Sequence, residues 1–244
     1  MKNTKLIDLF QVSRNDKLLA IIEGVQALKH AVRFKAELLQ VITCDINLLE
    51  TLLDELAPDV KDSILSQAQS VDEETFARLS PQPPRTKVIA IARRAIYKIS
   101  DIDSTQPIIF LEEPRDLENI GAVIRVSAAA NAAAVCISGP VDVWQAAIIR
   151  GAAGLHYALP VISRCKIINL KKMNRKVVSL DPTGEAIDKT SVPSSAILVF
   201  GTERHGISQQ TLSQSDQVLS LPMKPGVSSL NLATSVSATL YSLK

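Results

Sequence analysis

Aromatic side chains make up only 4% of this 244-residue chain, so Leu, Ile, Val and Ala must supply most of its core. No stretch reaches the roughly 18 uncharged apolar residues that a membrane-spanning helix needs. Asp8, Arg14, Asp16 and Lys17 interrupt any apolar run near the start that could read as a secretory signal. The three cysteines, Cys44, Cys136 and Cys165, are odd in number, far apart and in apolar company. They offer neither a disulfide framework nor metal-ligand spacing, and are expected to be reduced, buried thiols in a cytoplasmic protein. There is no G-x-G-x-x-G after a strand and no G-x-x-x-x-G-K-[ST], which removes the main signals for dinucleotide and P-loop nucleotide binding. H-E-x-x-H and a nucleophile elbow are also missing, so no metal site or serine hydrolase is indicated.

Apolar residues account for 46% and charged residues for 21%, which is globular composition. The net charge of +2 does not by itself argue for a nucleic-acid partner. Residues 1–104 hold 14 Lys+Arg against 15 Asp+Glu, and residues 105–244 hold 13 against 10. Arg85, Lys87, Arg93, Arg94 and Lys98 lie close together in sequence. Such a strip can follow a phosphate backbone, or can simply be a solvated face.

The pattern of apolar residues divides the chain in two. From Leu18, "LLAIIEGVQALKHAVRF" reads as a strand followed by a helix, and "ELLQVITCD" as a short strand. "NLLETLLDELAPDVKDSIL" is an amphipathic helix broken at Pro58. "SVDEETFARLS" carries a capping signature, with Ser70 three residues before Glu73. "PQPPR" is loop, and "KVIAIARR" is the next strand. Polar residues 99–106 lack periodicity and mark the expected linker between a domain at 1–98 and another at 107–244.

In the second half, "PIIFLEE", "AVCISG", "LPVIS", "KVVSLD" and "AILVFGTE" read as strands. "NIGAVIRVSAAANA", "QAAIIRGAAGLHYA" and "SSLNLATSVSATLYSLK" read as helices. This alternation predicts an α/β domain built on a parallel sheet, with ligands at the carboxyl ends of its strands.

Three loops at those strand ends carry the polar residues. In "LEEPRDLENIGAVIRVSAAA" a strand leads into a helix bearing Asn119, Gly121 and Arg125. "ILVFGTERHGIS" ends a strand at Gly201, followed by Glu203 and Gly206; two glycines free backbone amides for a ligand. "LSLPMKPGVSSLNLATSVSATLY" runs from Leu221 and Met223 through Ser229, Leu230 and Asn231 into a helix of small residues. Taken singly, Asn119 reads equally well as an N-cap and Arg125 as a surface arginine, Glu203 reads rather as a solvated turn residue, and the last helix can be read as packing. Phe200 and Tyr241 sit in apolar runs that read as core.

Together the three loops resemble the motifs of the SpoU (TrmH-like) branch of the SPOUT RNA methyltransferases. The first motif's N-x-G core and arginine are matched by Asn119, Gly121 and Arg125. The second's G-x-E is matched by Gly201 and Glu203, and the third's P-M-x-x-G-x-x-S-L-N by Pro222 through Asn231. "VWQAAIIRGAAGLHYALPV" is also family-like. The loop "EPRDLENIG" differs from the usual "DPRNLG", and "AANAAA" stands where a Gly or Phe-Gly is common. More weakly, "IEGVQALKHAV" and "LLQVITCD" resemble an L30e-like substrate-binding domain.

The resemblance implies a deep trefoil knot in the C-terminal domain, a homodimer, and S-adenosyl-L-methionine as methyl donor with no metal. It implies transfer to a ribose 2′-hydroxyl of RNA, with ribosomal RNA preferred over transfer RNA. Gly201, Leu221, Met223 and Leu230 would hold the cofactor. Asn119, Arg125, Glu203, Ser229 and Asn231 would form the catalytic set, with Arg125 on the phosphate beside the target. Proton acceptance is open between the arginine, assisted by the target's phosphate, and Glu203. The rivals are base methylation and an inactive RNA-binding or ribosome-assembly factor on the same fold.

Overall fold

The computed structural model describes residues 2–103, 105–188, 192–202 and 205–243. Along the first part of the chain the elements are α1 (Lys2–Asn15), β1 (Leu19–Glu23), α2 (Val25–Arg33), β2 (Leu38–Thr43), α3 (Ile46–Leu56), α4 (Lys61–Leu65), β3 (Ala68–Ser70), α5 (Glu73–Ala77) and β4 (Val88–Arg93). There follow β5 (Ile108–Leu111), α6 (Leu117–Ala129), β6 (Ala134–Ile137), α7 (Ala146–Gly151), β7 (Val161–Ile162), α8 (Ile167–Lys171), β8 (Val177–Ala186), β9 (Ile197–Phe200), α9 (Gln209–Leu212), β10 (Gln217–Ser220) and α10 (Leu232–Ser242).

The chain forms two compact units: Met1–Ala95 with Trp144–Ala158, and Ile96–Val143 with Leu159–Lys244. The segment Trp144–Ala158, a family-like stretch in the middle of the second half, thus belongs to the first unit. That unit carries a four-stranded sheet in the order β1-β4-β2-β3, antiparallel at β4 and parallel between β2 and β3. Ile7 and Phe10 of α1 pack with Ile21, Ile89 and Ile91 of the sheet and with Phe76.

Asp72, not Ser70, caps α5: its side chain accepts from the amide of Thr75, while Ser70 is held in β3 opposite Thr43. The helix expected over 145–158 stops at Gly151, because Ala153 and Gly154 take left-handed conformations (φ 50° and 76°). Glu23, at the end of β1, has a side chain only 3% exposed. Its carboxylate accepts from Arg14 at 2.9 Å, Ser80 at 2.7 Å and Arg150 at 2.9 Å.

The second unit is built on six parallel strands in the order β10-β8-β9-β5-β6-β7. β5, β6 and β9 are the runs IIFL, AVCI and ILVF, buried at every position. A parallel sheet covered on both faces demands such continuous apolar runs. One face packs with Ile167 and Leu170 of α8 and with Ile207 and Leu212 around α9, while α6 and α10 pack against each other. Cys136 and Cys165 are buried free thiols and Cys44 is half-buried. A Cys136–Cys165 hydrogen bond and burial push the Cys136 thiol well up, while the same bond lowers Cys165. Among the described residues no helix is long and apolar enough to cross a membrane.

Candidate active site and cofactor pocket

A cavity of about 320 Å³ opens past the carboxyl ends of β9 and β10, against the middle of β8, a size suited to a small-molecule ligand. One wall is Leu180, Asp181 and Pro182 within β8; a second is Phe200, Gly201, Thr202 and Gly206. The third comes from the stretch Leu221–Leu232, including Met223, Ser229 and Leu230. All four residues expected to hold a cofactor, Gly201, Leu221, Met223 and Leu230, therefore line one cavity with Ser229.

The loop after β9 is pinched shut by backbone. Thr202 and Gly206 exchange two hydrogen bonds, 3.1 and 3.0 Å, and the His205 amide donates to the Thr202 hydroxyl at 3.0 Å. A Cβ on Gly201 would lie 2.0 Å from the carbonyl carbon of Gly206, so no other residue fits there. Glu203, expected in the catalytic set, lies outside the described residues, as does Arg204. The far end of the loop is anchored by Glu112, just after β5. Its carboxylate accepts from the Ser208 amide at 2.7 Å, the Ser208 hydroxyl at 2.8 Å and the Thr211 hydroxyl.

Asn231 is the N-cap of α10: its Oδ1 accepts from the amides of Ala233 at 2.9 Å and Thr234 at 3.3 Å. Its Nδ2 donates to Oδ1 of Asn119 at 2.8 Å. The first and third motifs, 112 residues apart in sequence, thus meet beside the cavity. Asn119 is not a cap; Asp116 caps α6 by accepting from the Asn119 amide at 2.9 Å.

Arg125 is not brought to Asn119. It lies six residues further along α6, about 9 Å along the axis and on another face. Its side chain is exposed, with no hydrogen bond or ion pair among the described residues. Tyr241 is 51% exposed rather than in the core, while Phe200 is buried at 3%.

Leu180, Asp181 and Pro182 were not anticipated. Asp181 is the only ionisable group among the described lining residues. Its Oδ1 accepts from the Thr183 amide at 3.0 Å and hydroxyl at 2.6 Å, which fixes the carboxylate at the pocket wall. The strand "KVVSLD" ending in Asp181 was the available signal, but no motif included it.

The family model described as the SpoU rRNA Methylase family matches residues 106–241. The chain belongs to this family. A tRNA/rRNA methyltransferase of Archaeoglobus fulgidus, itself uncharacterized, is 31% identical over 141 residues, covering 56% of this chain and 63% of its own length. The chain therefore spans less than two thirds of that relative. A 23S rRNA (adenosine(1067)-2′-O)-methyltransferase of Streptomyces azureus is 24% identical over 246 residues, covering 97% of this chain and 90% of its own. Among solved structures, the SpoU methyltransferase AviRb of Streptomyces viridochromogenes with AdoMet superposes with a TM-score of 0.78. It has 19% identity and covers 97% of this chain and 96% of AviRb. At that identity the likeness is one of fold, and it extends over the whole SpoU-family chain.

The residues present fit S-adenosylmethionine. The cavity offers apolar contacts from Leu221, Met223 and Leu230, a backbone-walled loop at Gly201 and the Asp181 carboxylate. A carboxylate as the one charge among the described lining residues suits a ligand bearing a sulfonium and an ammonium. Among the described residues no three His, Cys, Asp or Glu side chains are grouped to hold a metal ion.

Proposed function

We propose that this SpoU-family chain transfers the methyl group of S-adenosylmethionine to a ribose 2′-hydroxyl of ribosomal RNA. The observation that carries this reading is the Asn231–Asn119 hydrogen bond, in which Asn231 stands between the cavity-lining residues Leu230 and Leu232. It joins the motif loops into one site that a plain RNA-binding module would not require. Relatives named as 23S rRNA 2′-O-methyltransferases, from Streptomyces azureus and Bacillus subtilis, support the choice of RNA and atom.

When bound, S-adenosylmethionine supplies an electrophilic methyl on a positively charged sulfur. The protein's contribution is orientation, since displacement needs the attacking oxygen, carbon and sulfur nearly in line. Gly201, Leu221, Met223 and Leu230 hold the donor, and Asn231 fixes Asn119 where the ribose enters. Arg125 grips the phosphate beside the target, as its fork matches phosphate geometry. A guanidinium offers donors and no acceptor, so the role of Arg125 is positional and electrostatic.

The active form is a homodimer. In support, Val227 (47%), Leu230 (39%) and Tyr241 (51%) are exposed, apolar side chains that a symmetric copy could cover. A monomer fully active at nanomolar concentration, seen by light scattering, would exclude this.

The test of the reaction is alkaline hydrolysis of RNA treated with enzyme and cofactor. Methylation of a 2′-oxygen removes the nucleophile for strand cleavage, so one rung of the ladder should vanish. A complete ladder with stoichiometric methyl incorporation would mean base methylation instead. Failure to bind S-adenosylmethionine by calorimetry would leave an inactive RNA-binding factor.

A further inference from the structure

The basic residues near the end of the first unit are largely spent within the protein. Lys87 pairs with Glu73 at 2.8 Å, Arg93 with Glu37 at 2.8 Å, and Arg94 donates to the carbonyl of Leu19. The unspent charge lies elsewhere. Residues 163–176, SRCKIINLKKMNRK, hold six Lys+Arg and no Asp or Glu, in a chain whose net charge is only +2.

Three of the six have structural duties. Arg175 is buried and donates to the carbonyls of Gln106, Ser195 and Asp103. Lys171 donates to the Gln214 carbonyl at 2.7 Å, and Lys176 lies 3.8 Å from Asp216. Arg164, Lys166 and Lys172 are exposed, and their side chains have no ion-pair or hydrogen-bond partner among the described residues. Unneutralised cations concentrated in one short segment are a liability unless a counter-charge arrives.

Arg164 and Lys166 line an open groove of about 880 Å³ between α8 and α9, over the carboxyl ends of β5 and β6. Its floor includes Ser138 and Gly139, with Glu113 beside them and Ile168, 52% exposed, on the rim. Glu112, which also lines the groove, is occupied by Ser208 and Thr211. That anchoring makes the Gly201–Ser208 loop shared structure: one end walls the cofactor cavity and the other is tied to the groove. Both openings lie at the carboxyl edge of one parallel sheet, and β5 leads through Glu112 into α6 with Asn119.

We propose that this groove binds the RNA strand flanking the target nucleotide, with Arg164 and Lys166 on its phosphates; this rests on the methyltransferase reading above. The occupant follows from charge complementarity and position. An RNA strand that reaches Asn119 can continue along the same sheet edge, where Arg164 and Lys166 are the two cations of a lining that also holds Glu112 and Glu113. Glu113 cannot face a phosphate, but its carboxylate can accept a hydrogen bond from a ribose hydroxyl, which DNA lacks.

The experiment compares the full-length protein with R164E/K166E and with the charge-conserving R164K/K166R. Binding of a fluorescein-labelled mixed-sequence single-stranded RNA about 20 nucleotides long is measured against salt, since each phosphate neutralised by the protein steepens the log–log slope by about 0.7. At about 0.1 M salt, R164E/K166E should bind at least about tenfold more weakly, with the slope shallower by roughly 1.4 for two phosphates. R164K/K166R should stay close to wild type. On protein-free ribosomal RNA the reversal should raise KM with kcat nearly kept, and leave S-adenosylmethionine affinity and melting temperature unchanged. An unchanged RNA affinity and slope in R164E/K166E, while the wild type methylates, would overturn the groove assignment alone. Wild-type protein that binds cofactor but no RNA at any salt would sink both readings. Equal losses in R164K/K166R would show that shape rather than charge is responsible, and would also overturn it.

Discussion

The side-chain amide of Asn231 donates to the side-chain carbonyl of Asn119 at 2.8 Å, while the other end of the same amide caps α10. One residue therefore closes a helix and joins two motifs, and the two roles are separable by mutation. Asn231→Ala should lose both, costing about 1 kcal/mol of stability through the cap together with most of the methylation. Asn119→Ala keeps the cap, so thermal melting should hardly move while the rate falls. Equal melting shifts in the two variants, by differential scanning fluorimetry, would contradict this division.

Gly201→Ala should destroy S-adenosylmethionine binding, because the new methyl would collide with the backbone of Gly206 and open the Thr202–Gly206 pair. The control is Gly226→Ala. Gly226 has φ +92° but nothing within 4 Å of an added Cβ, so only backbone strain of about 1–2 kcal/mol is expected. Calorimetric titration should show no heat for the first variant and nearly normal affinity for the second.

Arg125→Ala should abolish methyl transfer yet leave cofactor affinity and stability as in the wild type. Its exposed side chain touches neither the cavity lining nor, among the described residues, any partner. Surface substitutions of that kind usually change stability by less than about 0.5 kcal/mol. Loss of S-adenosylmethionine binding in a folded variant would place Arg125 on the cofactor.

Glu23→Ala removes a nearly buried carboxylate that serves Arg14, Ser80 and Arg150. Breaking such a network from one side typically costs about 3–5 kcal/mol, here lessened because the Arg150 side chain is 48% exposed. Urea unfolding should show the loss in the first unit. A midpoint equal to that of the wild type would mean the network contributes nothing net.

The central strands β5, β6 and β9 were legible because strands covered on both faces must be apolar throughout. The cavity residues from Leu221 to Leu230 were legible because their motif is contiguous. Arg125 was placed on the right helix, but where that helix begins was hidden by the loop before Asn119; Asp116, which accepts from the Asn119 amide, sets its start. α1 escaped notice because its fully buried positions among the described side chains are few, Ile7, Phe10 and Ser13, on an otherwise exposed, polar helix. Asp181 was missed for a different reason. Its part in the site comes from β8 lying beside β9 in the sheet, and adjacency of that kind is not written in any one segment.

The first unit is not finished when its first 95 residues are, since it also needs Trp144–Ala158. During synthesis Glu23 must wait for Arg150, and β1 for α7, while residues 96–143 of the other unit emerge in between. The two units are interleaved in the order of translation, so the first is complete only after residues 96–143 of the second have been made. A cut after residue 98 separates the sequence without separating the folded bodies. It strands the Trp144, His156 and Tyr157 ring cluster on a fragment that lacks the sheet it was made to cover. In evolutionary terms the halves are tethered: the first unit cannot be exchanged for another by simple fusion at its end, only by a replacement that also rewrites the middle of the second half.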